Sequence, residues 1–207
     1  MRIAMFGATG VVGSAVLKLA VEHGHDVRVL ARSPQRVRSS DVDVVVGDVL
    51  DPDLVAKTLV GCECAVSALG GFGDAASIDT GTSNIMAAMR EAHVRRLVVM
   101  QGFHIPFPGD PRNPGTRFVA AMLRLRSPSL IASSHRLGEL LRSCEDLDWT
   151  LVRAPLVKQG PPSGQREQGL LRLGPRSHVT SGDLAEAILE TLDRADTVPW
   201  APMVRST

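Results

Sequence analysis

The clearest chemistry lies in seven residues between a short apolar run and a stretch of helical spacing: Gly7-Ala8-Thr9-Gly10-Val11-Val12-Gly13. Gly7 and Gly10 let a backbone turn tightly and come close to a pyrophosphate, with Thr9 between them. The N–H groups of Val11 and Val12, at the start of the next helix, would point at its charge. Gly13 would let that helix pack closely on a strand. The spacing is GxxGxxG, a variant of the dinucleotide fingerprint, and the alternative is a turn that only packs strand on helix. The next run, Leu30-Ala31-Arg32-Ser33 with Arg36 one turn on, ends a second apolar segment. A site for NAD places a carboxylate there to bind the ribose hydroxyls. Here a guanidinium stands instead, and its planar fork suits a 2′-phosphate. NADP(H) is therefore the expected cofactor, with Arg32, Ser33 and Arg36 around that phosphate, unless these are solvated surface charges. After a third segment, Asp48 could accept a hydrogen bond from the adenine amino group, with Val49 beside it. Ala68, Leu69 and Gly70 are small enough, or placed in such company, to let a cofactor pass close to the backbone.

The elements that must position these residues alternate. Arg2–Phe6, Asp26–Ala31, Val42–Val46, Glu63–Ala68, Arg96–Met100 and Trp149–Arg153 read as strands. Val11–His23, Asp51–Leu59, Ser77–His93, Thr116–Arg126, Ser133–Cys144 and Asp183–Asp193 read as helices, the second capped by Asp51 and the last by Ser181. Strands and helices at this spacing predict βαβ units. The expectation is an α/β Rossmann fold in a single domain, residues 1–207. Its doubly wound parallel sheet would have at least six strands in the order 3-2-1-4-5-6, with helices on both faces. Two stretches break the pattern. Phe103–Gly115 holds four prolines and two glycines, and Gln159–Gly174 is polar and Gly/Pro-rich. Loops 101–117 and 154–175 are expected to form the substrate cleft. Residues from Val198 on, with Pro199 and Pro202, read as loosely ordered.

Composition excludes several classes. Lys+Arg 23 against Asp+Glu 22 leaves a net charge of +1, without the basic excess of a nucleic-acid binder. No apolar run is long enough to cross a membrane. Three cysteines, Cys62, Cys64 and Cys144, fit a reducing, cytoplasmic setting. Cys62-x-Cys64 is too closely spaced for an isolated zinc site, so no metal is expected. The expected partner is a small-molecule substrate, for a monomer or a homodimer.

The runs GATGVVG, ARS, GDVLD, SALG and NIMAAMREAHVRRLVVM resemble an atypical short-chain dehydrogenase/reductase. LGELLRSCEDLDWTLVRAP and HVTSGDLAEAIL are similar too, so the resemblance covers nearly the whole chain. It is to the NAD(P)H-binding, biliverdin reductase B/flavin reductase-like (NmrA-like) branch. This implies a Rossmann fold, NADPH, and a substrate cleft beyond the carboxyl ends of the strands.

Short-chain dehydrogenases generally use a Ser-Tyr-Lys set, yet this chain has no Tyr. In the family's register the Ser position falls near Gly102, the Tyr position near Ile131 and the Lys position near His135. In the biliverdin reductase B-like branch a Ser and a His contact substrate, and those positions are Gly102 and Leu156 here. The replacements at hand are His104, a donor near neutral pH, Gln101, a hydrogen-bonder for a substrate carbonyl or the nicotinamide amide, and His135. Pro155 and Leu156 would line the nicotinamide end. The expected activity is hydride transfer from NADPH to a small conjugated, carbonyl or flavin-like acceptor. An NADP(H)-binding regulatory protein without turnover, or a non-redox isomerase or cyclase, remains open.

Overall fold

The computed structural model describes residues 1–70, 75–111, 114–174, 176–194 and 198–207. In chain order the elements are β1 (Arg2–Phe6), α1 (Val11–Glu22), β2 (Asp26–Ala31), β3 (Asp43–Val46), α2 (Pro52–Leu59), β4 (Cys64–Ser67), α3 (Ala76–Glu91) and β5 (Arg96–Gly102). Then follow α4 (Pro114–Arg126), α5 (Pro128–Arg142), β6 (Asp148–Ala154), β7 (Leu156–Lys158), β8 (Arg166–Gly169), β9 (His178–Thr180), α6 (Ser181–Leu192) and β10 (Met203–Ser206). The main sheet runs β3-β2-β1-β4-β5-β6-β10-β8, and β7 pairs with β9 separately. The first six strands have the expected order and are parallel. The order reverses beside β1, which opens a crevice at the carboxyl ends of β1 and β4.

Side chains alternate across the sheet because successive strand residues face opposite sides. Ile3 and Met5 of β1 join Val16 and Leu17 of α1 and Leu184 and Ile188 of α6. Ala4 and Phe6 join Val55 of α2, Ile85 and Met89 of α3 and Leu137 of α5. These two apolar layers explain why the parallel strands read as almost continuous Val/Ile/Leu runs.

Four local expectations are corrected. The segment after Val198 ends in a strand: Val204 is fully buried, and β10 runs parallel to β6 and antiparallel to β8. β8 itself lies inside the polar stretch read as loop. It is an edge strand, and its polar side chains serve that position: Glu167 accepts from Arg205 of β10 at 2.7 Å. Helix α5 begins at Pro128, not Ser133, since proline at a first helical position gives up no hydrogen bond. The cap of α6 is Thr180, whose side chain accepts from the Asp183 N–H at 3.0 Å, while the Ser181 hydroxyl donates to the Gly160 carbonyl. Asp51 caps α2 as expected.

Candidate nucleotide and substrate site

The glycine turn is shaped by its neighbours. Gly7 has φ +86°, a conformation that favours glycine, and a Cβ there would meet the Ala68 carbonyl oxygen at 2.5 Å. A Cβ on Gly13 would meet the Gly7 oxygen at 2.0 Å, so α1 sits directly on the turn. Gly10 caps α1 without a side-chain hydrogen bond, and no acidic residue occupies the first turn. The N–H groups at this helix start are therefore presented to an anion. Val12 turns its side chain into the core, so only its backbone faces the turn.

Around that turn lies a cleft of about 520 Å³. It gathers Gly7, Thr9, Gly10, Arg32, Ser33, Arg36, Asp48, Val49, Ala68, Leu69 and Gly70, which the chain spreads over four strand ends. Val11 lies next door, in a hollow of about 340 Å³ that shares Thr9, Gly10 and Arg36 and adds Arg38. Asp48 does more than face the cleft. Its Oδ1 accepts from the Leu50 N–H at 3.0 Å, and its Oδ2 stands 3.6 Å from the Arg32 guanidinium. The residues fit a dinucleotide: a capless helix start for the pyrophosphate, and arginines where a ribose-binding carboxylate would follow β2.

Gln101 is buried at the end of β5, and its amide nitrogen donates to the Leu69 carbonyl at 2.8 Å. That bond ties β5 to the wall of the cleft. His104 and His135 line a second cavity of about 420 Å³, not the nucleotide cleft. This cavity is closed by α4 and α5 and floored by Ile131, Leu173 and Met203. Pro155 and Leu156 line a third, smaller cleft that shares Phe103, Thr116 and Leu173 with the second.

The missing side chain at Gly102 has a consequence. A Cβ there would lie 2.5 Å from Nδ1 of His104, so the imidazole fills the space a side chain at position 102 would occupy. Its Nε2 is buried and has no partner among the described residues. Burial, and secondarily the nearby His135, push the His104 pKa down to about 4. The expectation of a proton donor near neutral pH is thereby corrected: burial favours the neutral imidazole there, which donates one hydrogen bond through its N–H and accepts one at its other nitrogen.

In the sequence Arg153 reads only as a structural residue ending the sixth strand; what it holds, the loop after β5, was not legible there. Arg153 is fully buried and grips Asp110 through both carboxylate oxygens at 2.6 Å. It also donates to the carbonyls of Ile105 at 2.8 Å and Ala201 at 3.0 Å, and lies 5.3 Å from the centre of the Phe107 ring. One guanidinium thus joins β6, the loop and the segment leading into β10. An arginine inside an otherwise apolar strand run was the only signal for it. Positions 112 and 113 of this loop, and 175 of the second, lie outside the described residues. Among the described residues no group of His, Cys, Asp or Glu could hold a metal, and no helix is long and apolar enough to cross a membrane. Cys64 is buried, which raises its thiol pKa to about 12.

Residues 7–195 match the family described as NAD(P)H-binding. The chain belongs to that family. Its cofactor class is therefore a nicotinamide dinucleotide, as the glycine turn implied. The chain is 22% identical to the Bacillus subtilis protein YwnB, over 95% of this chain and 94% of that one. It is 30% identical to a 3-diazoavenalumate denitrifying reductase of a Streptomyces species, over 82% of this chain. Several relatives are longer: the chain spans 60% of that reductase and 12% of three mycobacterial proteins. In fold it is similar to ChuY, an anaerobilin reductase of Escherichia coli O157:H7, with a TM-score of 0.82 and 17% identity over 99% of this chain and 96% of that one.

Proposed function

We propose that this chain is an NADPH-dependent reductase of a small conjugated, carbonyl or flavin-like acceptor. The observation that carries the reading is the cleft wall after β2: Arg32, Ser33 and Arg36 line it, and no carboxylate follows that strand. Arg32 and Arg36 hold the 2′-phosphate by charge-assisted hydrogen bonds. The N–H groups opening α1 hold the pyrophosphate, and Ala68, Leu69 and Gly70 bound the path towards β5. When bound, the cofactor supplies hydride. The chain's own contribution is orientation and exclusion of water, with the neutral His104 imidazole as a hydrogen-bond donor. A chain without tyrosine lacks a phenolic acid, which favours acceptors whose conjugated system spreads the arriving negative charge. The naming of two similar proteins as reductases supports the redox part of this reading.

The test is binding and oxidation of NADPH and NADH, with flavins, quinones and enones as acceptors. NADPH is expected to bind more tightly. Arg36→Ala should weaken NADPH binding about 10-fold or more and NADH binding far less, the effect of losing a hydrogen bond to a charged group. Equal affinities in the unaltered protein would remove the NADPH preference. No oxidation above background with any acceptor would remove the reductase. The neutral His104 and the absent tyrosine favour a second reading, a nucleotide-responsive binding protein. That reading expects tight NADP⁺ binding, no turnover and a stably associated protein partner.

A further inference from the structure

Helix α4 is mounted the wrong way round for an ordinary surface helix. None of its residues is buried. Its large apolar residues Phe118, Met122 and Leu125 face outward, at 68%, 52% and 80% exposure. Besides Thr116 near its start, the positions that line the cavity are Arg117, Ala120, Ala121 and Arg124. These fall at i, i+3, i+4 and i+7, one stripe of a helix. An amphipathic helix covering a core would turn its apolar stripe inward. Here two arginines line the cavity, with two alanines between them along the stripe.

The charge of the cavity follows from its lining. Asp110 is its only lining carboxylate among the described residues, and both its oxygens are taken by Arg153 at 2.6 Å. Neither Arg117 nor Arg124 makes an ion pair among the described residues. The cavity is therefore locally cationic in a protein of net charge +1. Its floor is apolar: Ile131, Leu171, Leu173 and Met203, with the Phe103 ring at the side shared with the neighbouring cleft. An apolar floor beside two arginines seven positions apart on one helix, their backbones about 10 Å apart along its axis and their long side chains free to converge, describes a ligand with an apolar body and an acidic end.

We propose that this cavity is the acceptor subsite, and that its acceptors carry a carboxylate on an apolar, conjugated body. Arg117 and Arg124 hold the carboxylate. The body lies on Ile131, Leu173 and Met203, within reach of the buried imidazole of His104. As a statement about an acceptor it rests on the reductase reading, but the binding preference can be measured without turnover.

The experiment titrates the NADP⁺-saturated protein with trans-cinnamate and with its methyl ester by calorimetry. The acid is expected to bind at least about ten-fold more tightly, as charge-assisted hydrogen bonding to a guanidinium requires. In the double variant Arg117→Ala/Arg124→Ala the two should bind alike. Both arginines are exposed, so the variant is expected to melt at the unaltered temperature and to bind NADP⁺ as before. Equal affinity for acid and ester, failure of both to bind, or a preference that survives the double variant would each overturn the proposal. If no acceptor is reduced but the arginine-dependent preference is present, the reductase reading fails and the carboxylate site stands.

Discussion

The His104 imidazole sits where position 102 would have a side chain, and the consequence is a titration that can be followed. In the unfolded chain this group titrates near its ordinary value of 6.5, and in the folded protein burial holds it at about 4. Between those values the unfolded chain binds a proton that the folded protein does not. Stability from this group is thus complete above about pH 6.5, declines as the pH falls towards 4, and levels off below. In His104→Gln that titration is gone. Tm curves of the two proteins are expected to converge, or cross, as pH drops through this window. Curves that stay parallel would show that His104 is not held neutral. The residue's type and position were legible in the sequence as a candidate beside β5. Its protonation state was not, because it depends on Gly102 and His135 closing around the ring.

The long loop after β5 behaves as an extension of β6, because Arg153 ties it down at Asp110, Ile105 and Phe107. Removing one partner of a buried ion pair leaves the other charged and desolvated. Arg153→Met is therefore expected to cost about 3–5 kcal/mol in urea unfolding. Asp110→Asn, which keeps a hydrogen-bonding group and stands on the partly exposed side of the pair, should cost less. If Arg153→Met unfolds at the same urea concentration as the unaltered protein, the clamp is not stabilising. The alternation of β1 to α3 was readable, since parallel strands covered on both faces leave a dense apolar signature. β8 was not. A short polar edge strand has no such signature, and its partner lies 38 positions away at Arg205.

The C-terminal strand closes the molecule. β10 packs Val204 at 0% exposure into the α1–α6 layer, and the Ser206 hydroxyl donates to Asp183 at the start of α6. Removing residues 203–207 deletes two buried apolar side chains, Met203 and Val204, the burial of each worth about 1.5–3 kcal/mol. The truncated chain is expected to lose several kcal/mol in one cooperative transition, with loss of NADP⁺ binding only as the whole protein unfolds. A truncated protein with unchanged Tm would mean that β10 is dispensable.

Glycines, apolar periodicity and the residues after β2 were enough to specify the strand order, the strand–turn–helix setting of Gly7–Gly13 and a nicotinamide dinucleotide as the cofactor class. All of these rest on local pattern and on the handedness of βαβ crossovers, which act over a few tens of residues. The tertiary structure alone decided that Gln101 is tied to Leu69 and that His104 is neutral. It also decided that Asp48 faces Arg32 and that Arg117 and Arg124 look onto one cavity. Each depends on which groups burial brings together from distant parts of the chain. In a low-dielectric interior the neighbours, more than the residue type, set whether an imidazole is charged and whether a carboxylate is already paired.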